Sequence, residues 1–348
     1  MRLAAIALRG PQGDDADWLV RYASPDVIDL ATLEASGHRH RLRGADVRVV
    51  GASEETRLAR ISAGSDALIC RRAPVGAAEL AASPNLRVVA RLGSDSAGLD
   101  LPALDHAGVH TVCMERPSLA FTAEHAVLMM LAATKDIVIA DRLSRDPEWD
   151  RTQVHPIDNV AYNWPGLSGL GGLFGATIGM IGMGQVGLLV AERLRLFGAK
   201  LLYTKRSRLP AAQEAALGLT FVDSDTLLAR SDIVSLHARW TPETERMMNA
   251  ETFARMKPGA IFVNTSRGYL VDEAALAEAL HAGHIFRAAL DTHAPEPRDP
   301  DAPLTHAPNT IFTPHIAGGS RGVLAQEVDM LLGHVAAALS SPDPMAQV

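Results

Sequence analysis

Three side chains in the second half of the chain have the types that acid–base chemistry and anion binding require. Arg267 precedes a glycine and is expected in a loop, where a guanidinium can bind a carboxylate through two parallel hydrogen bonds; a structural salt bridge is the alternative. His315 follows a proline and could expose an imidazole that exchanges protons near neutral pH, although a lone histidine is more often structural. Glu296, between two prolines, would orient that imidazole if the two met, whereas alone it is more often a surface charge.

A glycine pattern near the middle of the chain predicts a phosphate-binding turn. Gly182, Gly184 and Gly187 follow an apolar, strand-like run and open a stretch with helical spacing of apolar residues. In such a unit the first glycine allows a tight turn, the second lets a pyrophosphate approach, and the third lets helix and strand pack closely. The N–H groups of Gln185 and Val186 would lie at the helix start, where an anion is favoured. The pattern indicates a dinucleotide site, and a tight turn without a ligand is the alternative.

The residues after the next strand indicate which dinucleotide would bind. A carboxylate roughly 20 residues after the loop would hold the ribose 2′-hydroxyl of NAD, but Thr204, Lys205, Arg206 and Arg208 stand there instead. Cationic side chains bind a 2′-phosphate, which a carboxylate would repel. The sequence therefore predicts NADP(H) in preference to NAD(H), with a solvated basic turn as the alternative.

Short aliphatic and β-branched runs alternate with amphipathic stretches, which predicts an α/β protein with parallel sheets. Two sets of strands are expected, at residues 3–8, 47–50, 67–70, 87–90 and 110–113, and at residues 177–181, 200–203, 219–222, 232–236, 260–263, 287–290 and 310–312. Helices are expected near 54–62, 101–106, 122–136 and 322–339, and the glycine-rich stretch 166–175 is interpreted as a linker or surface loop. Several strands of the second set end in polar residues, and ligands bind at those ends of open parallel sheets.

Four motifs, in this order along the chain, resemble those of a known enzyme family: IGMIGMGQVG, FVNTSRGYLVDEAAL, ALDTHAPEP and TPHIAG. The family is that of the D-isomer-specific 2-hydroxyacid dehydrogenases, which includes phosphoglycerate dehydrogenases and glyoxylate/hydroxypyruvate reductases. The resemblance implies two Rossmann- or flavodoxin-like, doubly wound parallel-sheet domains with the active site in the cleft between them. It implies a substrate domain at residues 1–117, a dinucleotide-binding domain at 118–307 and a return to the substrate domain at 308–348. It also implies a homodimer, with the helix near 122–136 contributing to the interface.

The resemblance implies a role for each site residue. Arg267 matches the residue that binds the substrate carboxylate, Glu296 the partner of the catalytic histidine, and His315 the acid–base itself. Cofactor contacts are expected at Gly182, Gly184, Gln185, Val186, Gly187, Thr204, Lys205, Arg206, Arg208, His237, Ala238, Thr265, Ser266, Asp291 and Gly318, with Asp291 holding the nicotinamide carboxamide. Substrate contacts are expected at Ser94, Asp95 and Arg267. The implied reaction is hydride transfer between a nicotinamide cofactor and a small 2-oxo acid or D-2-hydroxy acid, with His315 exchanging the proton.

Some residues depart from the family's pattern and bear on the substrate more than on the reaction. Asp95 stands where glycine is usual. Arg239 and Trp240 follow Ala238 where the family tends to have proline, and His293 replaces a residue that is commonly aromatic or acidic. Two alternatives stay open: a dehydrogenase of the formate or phosphite type, and a dinucleotide-sensing relative that acts through a protein partner, as corepressors of this fold do.

Composition and charge limit the class of protein further. The 348 residues suggest about two domains. Lys and Arg number 33 against 40 Asp and Glu, a net charge of −7 that has no general attraction to nucleic acid. The only cysteines, Cys70 and Cys113, cannot form a disulfide framework or an all-cysteine zinc site, so a cytoplasmic location and no metal are expected. The longest apolar run, at 126–133, is too short to span a bilayer, and no membrane partner is expected.

Overall fold

A computed structural model describes residues 2–6, 46–50, 66–70, 74–94, 96–148, 150, 154–319 and 321–340. The chain divides into two compact units, Met1–Ser118 with Gly319–Val348, and Leu119–Gly318. The helix expected at 54–62 and the substrate contact expected at Asp95 lie outside the described residues. The strand at 310–312 pairs within the sheet of the second unit, so the chain returns to the first unit later than residue 308, where the return was expected.

The described residues form twelve strands and ten α-helices. The strands are β1 (Arg2–Ile6), β2 (Asp46–Val50), β3 (Ala67–Cys70), β4 (Val88–Leu92), β5 (His110–Met114), β6 (Thr177–Ile181), β7 (Lys200–Thr204), β8 (Leu219–Phe221), β9 (Ile233–Leu236), β10 (Ala260–Asn264), β11 (Ile285–Leu290) and β12 (Thr310–Phe312). The helices are α1 (Ala77–Ala82), α2 (Leu101–His106), α3 (Leu119–Lys135), α4 (Ile137–Ser144), α5 (Gln185–Leu196), α6 (Ala211–Leu217), α7 (Ser224–Arg230), α8 (Ala250–Arg255), α9 (Glu273–His281) and α10 (Arg321–Ser340).

The first unit is built on a parallel sheet of five strands in the order β2-β1-β3-β4-β5. This is one of the two common doubly wound orders. Helices α1 and α2 contribute Leu80 and Leu104 to one hydrophobic cluster of this unit. Helix α10, from the returning segment, contributes Leu332 and Val335 to another cluster. The predicted flavodoxin-like α/β arrangement is confirmed for this unit.

The second unit is built on a parallel sheet of seven strands in the order β12-β11-β10-β9-β6-β7-β8. Helices α3 and α5 bury Met130 and Leu194 in one cluster, while α7, α8 and α9 bury Leu227, Phe253 and Leu276 in a second one. The strand order reverses between β6 and β9, which pair although they are distant in sequence. Such a reversal opens a crevice at the carboxyl ends of the two strands, where open α/β sheets bind ligands.

Within the described residues, no helix combines the length and the apolar character that crossing a membrane would require. The glycine-rich stretch 166–175 contains neither helix nor strand, as its interpretation as a linker or surface loop requires.

Candidate active site

The carboxyl ends of six neighbouring strands in the second unit lie in register. Ile181 pairs with Thr204 on one side and with Leu236 on the other. Asn264 pairs with Leu236 and Leu290, and the row ends where Leu290 pairs with Phe312. The residue that follows each strand therefore stands at one edge of the sheet, which assembles Lys205, Gly182, His237, Thr265, Asp291 and Thr313.

The glycine loop has the shape that its pattern predicts. Gly182 has a φ of 90°, and a Cβ added there would lie 2.7 Å from the backbone nitrogen of Ala238. A Cβ at Gly187 would lie 2.8 Å from the carbonyl oxygen of Gly182, so helix and loop pack too closely for a side chain. A Cβ at Gly184 would meet nothing within 4 Å. The open space therefore lies at the glycine where a pyrophosphate is expected to approach.

The first turn of α5 and two buried polar atoms fit a bound dinucleotide. Gly184 is the N-cap of α5 and supplies no capping side chain, so the N–H groups of Gln185 and Val186 stand at an uncapped helix start. Thr265 Oγ1 and His237 Nδ1 are buried and have no hydrogen-bond partner among the described residues. Buried polar atoms are nearly always hydrogen-bonded, so these two atoms are suited to meet a ligand.

His237 stands where β6 and β9 meet. Its backbone N–H donates to the carbonyl of Ile181 at 2.7 Å, and its Nε2 lies 3.0 Å from Ser235 Oγ. Burial lowers the pKa of His237 to about 4. The imidazole is therefore neutral at physiological pH and brings no positive charge to the crevice.

The basic residues after β7 differ in how they are held. Arg208 binds Glu214 through two hydrogen bonds, Nε to Oε1 at 2.9 Å and Nη2 to Oε2 at 2.8 Å. Tyr203 adds a hydrogen bond from its hydroxyl to Glu214 Oε1 at 2.7 Å. The hydrogen bonds from Arg208 and Tyr203 lower the pKa of Glu214 to about 2. Lys205 Nζ donates to the carbonyl oxygen of Met183 in the glycine loop at 3.3 Å, and Arg206 is exposed.

A tight turn after β10 presents Arg267. Asn264 is fully buried and folds the turn, since its Oδ1 accepts from Ser266 N at 2.9 Å and its Nδ2 donates to Arg267 O at 2.9 Å. Ser266 Oγ donates to the carbonyl of Leu236, which ties the turn to β9. A Cβ at Gly268 would lie 2.0 Å from the backbone carbon of His293, so only glycine allows this approach. Arg267 is exposed, and its guanidinium donates to the carbonyl of Ser266, while the backbone at the next residue, Gly268, lies against the segment that carries Glu296.

Glu296 and His315 form a hydrogen-bonded pair. His315 Nδ1 lies 2.7 Å from Glu296 Oε2. Because an ionised carboxylate only accepts hydrogen bonds, Nδ1 carries the proton, and Nε2 is left for other partners. Glu296 Oε1 accepts from the backbone N–H of His293 at 3.0 Å, so both carboxylate oxygens are used. Both side chains remain partly exposed, at 44% for His315 and 38% for Glu296, so the pair can be reached from outside.

The segment around Glu296 is braced by two side chains that the sequence did not single out as a pair. Arg298 Nη1 donates to His293 Nδ1 at 3.0 Å, which leaves His293 Nε2 to donate to the carbonyl of Thr313 at 2.9 Å. His293 is buried, and the Arg298 guanidinium lies 4.0 Å from the ring centre of Phe312. His293, noted as a departure from the family's pattern, therefore links the segment of Glu296 to the loop of His315.

Asp291 is fully buried and holds the loop that carries His315. Its Oδ1 accepts from the Thr313 hydroxyl at 2.6 Å and from Ile316 N at 2.9 Å, and its Oδ2 accepts from Ala317 N at 3.0 Å. Burial alone would raise the pKa of Asp291, but hydrogen bonds from His125, Thr313 and these two N–H groups lower it below the ordinary carboxyl value. The carboxylate is therefore ionised, and most of its hydrogen-bonding capacity serves this loop.

The structure also describes three other predicted site residues, Ala238, Gly318 and Ser94. Ala238 packs against the second hydrophobic cluster of its unit, and Gly318 is exposed, with open space where a Cβ would stand. Ser94 is exposed in the first unit after β4, and its substrate contact, like that of Asp95, stays a prediction.

No group of three or more His, Cys, Asp and Glu side chains suited to a metal ion occurs in the part of the chain that the structure describes.

Three side chains that contact the predicted site residues or their loops were not predicted from the sequence. His125 in α3 and Glu214 in α6 contact predicted site residues, and Arg298 braces the segment of Glu296. Glu214 is only six residues from Arg208, but Arg208 precedes α6, so helical spacing does not pair the two. Nothing in the local sequence around His125 indicates that it reaches the end of β11.

Comparison with known proteins gives a consistent result. The NAD-binding domain of the D-isomer specific 2-hydroxyacid dehydrogenases matches residues 127–317. D-3-phosphoglycerate dehydrogenase of Mycobacterium tuberculosis is 37% identical over 296 residues, which cover 85% of this chain and 52% of that protein. The chain thus spans about half the length of the phosphoglycerate dehydrogenases that it matches.

A shorter relative and a solved structure match over most of their lengths. Glyoxylate reductase of Thermofilum pendens is 34% identical over 284 residues, which cover 81% of both chains. A crystal structure of a Thermus thermophilus protein aligns with a TM-score of 0.62 and 29% identity over 99% of this chain and 98% of that one. The matched segment contains the glycine loop, Arg267, Glu296 and His315. The chain belongs to the D-isomer specific 2-hydroxyacid dehydrogenase family, whose members act on CH–OH groups with NAD(P) and whose substrates are 2-oxo and 2-hydroxy acids.

Proposed function

We propose that this protein transfers hydride between NADP(H) and a small 2-oxo acid or D-2-hydroxy acid. The observation that carries the proposal is the 2.7 Å pair of His315 and Glu296 beside the turn of Arg267. These residues lie at the same edge of the sheet as the glycine loop. An anion-binding arginine, a supported acid–base and a dinucleotide loop together are what reduction of a 2-oxo acid needs.

Each of the three side chains has a distinct task in this proposal. Arg267 binds the substrate carboxylate through its fork of N–H groups and lies close to the carbonyl that becomes negatively charged. His315, protonated, gives its Nε2 proton to the carbonyl oxygen, and neutral His315 takes that proton back in the oxidation direction. Glu296 orients the ring through Nδ1 and stabilises the imidazolium form. The bound dinucleotide supplies the hydride that C2 of the substrate receives.

The similarity to glyoxylate reductases supports a small 2-oxo acid as substrate. Two such relatives are 34% and 35% identical and are themselves covered over 81% and 74% of their lengths. The phosphoglycerate dehydrogenases are slightly more similar, but about half of their length lies outside the match. Glyoxylate and hydroxypyruvate are therefore the first substrates to test.

The preference for NADP(H) rests on Lys205 and Arg206. Lys205 is drawn toward the glycine loop by its contact with Met183 O, and Arg206 is exposed directly after it. Arg208 is bound by Glu214, so its charge is partly offset and it contributes less than the sequence indicates. Because no carboxylate stands at positions 204 to 208, nothing in that run repels a 2′-phosphate.

We also propose a homodimer formed through the second unit. Large apolar side chains are exposed on α3 and α4 and along 157–174: Phe121, Leu128, Ile137, Val138, Ile157, Val160, Tyr162 and Phe174. Tyr162 is 90% exposed and Phe174 is 87% exposed. Apolar surface of this extent is a liability for a monomer, and a second copy of the same surface would cover it. Analytical ultracentrifugation should show a dimer that Phe174→Asp together with Val160→Asp dissociates.

The decisive experiment follows the near-ultraviolet absorbance of NADPH and of NADH with glyoxylate, hydroxypyruvate, pyruvate and bulkier 2-oxo acids. Formate and phosphite with the oxidised cofactors test the alternative hydride donors. Oxidation of NADPH by a 2-oxo acid that is lost in His315→Ala and Arg267→Ala supports the proposal. Tight dinucleotide binding without turnover of any compound would overturn it in favour of a dinucleotide-sensing role.

A further inference from the structure

His125 is a largely buried histidine of α3 that contacts the loop of the proposed acid–base. Its Nε2 lies 3.1 Å from Thr313 Oγ1 and 3.4 Å from Asp291 Oδ1. The side chain is 10% exposed, and Asp291 is 0% exposed. The second unit thus contains a second histidine–carboxylate pair, on the buried side of the loop that carries His315.

The hydrogen bonds around Thr313 determine where the proton of His125 lies. The Thr313 hydroxyl has one proton, and it donates that proton to Asp291 Oδ1 at 2.6 Å. Toward His125 it can therefore only accept, so Nε2 of His125 must carry a hydrogen and donate it. The same Nε2–H also points to the Asp291 carboxylate, so one donor on α3 reaches both β11 and the loop after β12.

The loop between residues 313 and 317 needs such support. His315 has a φ of 55°, a left-handed conformation that is unfavourable for a residue with a side chain. Asp291 receives hydrogen bonds from Thr313 on one side of His315 and from Ile316 and Ala317 on the other. The strained residue is therefore held from both sides by one carboxylate, which itself is oriented by His125.

We propose that His125 and Asp291 form a positioning pair that sets the direction of the His315 imidazole. This inference rests on the proposed function and adds residues that act through His315 without exchanging the proton themselves. A misplacement of about 1 Å at a reacting group can cost a hundredfold in rate, so a donor on a distant helix can control turnover. The expected contact of Asp291 with the nicotinamide is compatible with this pair, because only one hydrogen bond to Oδ2 comes from the described residues.

The test compares two substitutions of His125 with a matched one on the same helix. His125→Leu removes the Nε2 donor, whereas His125→Gln keeps an N–H donor at a similar reach. Thr134→Val is the control, since it removes another buried polar group of α3, whose hydroxyl bonds only the carbonyl of Leu131. Thermal unfolding is measured for all three, so that general destabilisation is separated from the local effect.

Two readouts are expected to move together. In His125→Leu, kcat for the reduction should fall roughly ten- to a hundredfold while the KM for the 2-oxo acid changes little, because binding by Arg267 is intact. In the cofactor-free protein, the amide hydrogens of Ile316 and Ala317 should exchange about tenfold faster. His125→Gln should recover most of both effects, and Thr134→Val should show neither.

Unchanged kcat and unchanged exchange in His125→Leu would overturn the proposal, as would faster exchange spread evenly over the whole unit. The exchange measurement needs no activity. If the parent protein turns over no 2-oxo acid, the proposed function fails. Faster exchange confined to Ile316 and Ala317 would then still support the loop being held by His125 and Asp291.

Discussion

The two ends of the candidate site, at the carboxyl edge of the seven-stranded sheet, are built in different ways. At the acid–base end, Arg267, Glu296 and His315 are held by hydrogen bonds to the buried residues Asn264, His293 and Asp291 or to the loops that these residues support, although Glu296 and His315 themselves stay partly exposed. The basic end, with Lys205, Arg206 and Arg208, lies on more exposed side chains, and Arg208 is 63% exposed. Proton transfer needs a fixed direction and distance, whereas attraction of a phosphate by cations acts over a range of geometries. The difference indicates that substitutions at the acid–base end would impair the proposed reaction strongly, whereas substitutions at the basic end would change the cofactor preference with little loss of activity.

Removal of the acid–base should give the largest effect. His315→Ala is expected to lower kcat/KM for 2-oxo acid reduction by about 10²–10⁴-fold, because no other group in the proposal supplies the proton. Dinucleotide affinity, measured by fluorescence titration, should stay near that of the parent. His306→Ala, at an exposed histidine, is the control and should leave turnover unchanged. A loss of less than threefold in His315→Ala would contradict the assignment.

The glycine loop lies between the two ends, and two of its glycines should respond differently. Gly182→Ala is expected to lower the free energy of unfolding by about 2–4 kcal/mol, since it combines strain at positive φ with a backbone clash. The clash is with Ala238 N at 2.7 Å, whereas a Cβ at Gly184 meets nothing. Gly184→Ala should therefore keep its stability and lose roughly tenfold or more in dinucleotide affinity, because the methyl group occupies the approach of the pyrophosphate. Urea denaturation and calorimetric titration separate the two outcomes, and equal stabilities would be inconsistent with this placement.

Substitution at the basic end should change selectivity and leave turnover largely intact. Arg206→Ala with Lys205→Ala is expected to weaken NADPH binding about tenfold or more while NADH binding changes little, because only NADPH has a 2′-phosphate. Arg230→Ala, an exposed arginine on α7, is the matched control for general charge. An equal loss of affinity for NADPH and NADH would show that these cations do not bind the 2′-phosphate.

The last prediction concerns the pH dependence of stability at His237, and it leaves turnover at neutral pH unaffected because the imidazole is already neutral there. Its pKa is lowered from 6.5 to about 4 in the folded protein, so below pH 6.5 the unfolded chain binds a proton that the folded chain does not. The free energy of unfolding should therefore fall as the pH drops from 6.5 to 4, by up to about 1.4 kcal/mol per pH unit from this residue. His237→Gln should flatten that dependence, as measured by urea denaturation of the cofactor-free protein. Identical slopes for the two proteins would contradict a neutral, buried imidazole.

Much of the second unit could be predicted from local patterns. The strands expected at 177–181, 200–203, 260–263 and 310–312 are all present, because aliphatic runs of this length bounded by turn residues favour buried parallel strands. Helices α7 and α9 were not predicted, although aspartates cap both: Asp223 accepts from Thr226 N, and Asp272 accepts from Ala275 N. Those caps were readable signals, since an aspartate before a run of helix formers marks a helix start.

Some features of the candidate site could also be predicted from local patterns, and others could not. Glycine spacing and the motifs around Arg267, Glu296 and His315 predict the chemistry that we propose for it, because each depends on residue type within a few positions. The pairing of Arg208 with Glu214 also lies within short range but was not predicted, because Arg208 precedes α6 and no local pattern pairs a turn residue with a residue of the helix that follows. Its effect was to reduce the number of cations free to bind a phosphate.

Sequence by itself determined the α/β class and the glycine turn, and it predicted which residues would serve as the acid–base pair. These follow from backbone geometry and local chemistry, which neighbouring residues carry. Only the tertiary structure decided that strand ends align into one edge, that Asp291 supports the loop of His315, and that His125 reaches both. Such contacts join residues far apart in the chain, and their geometry is set by the packing of α3 on the sheet, which no local pattern encodes.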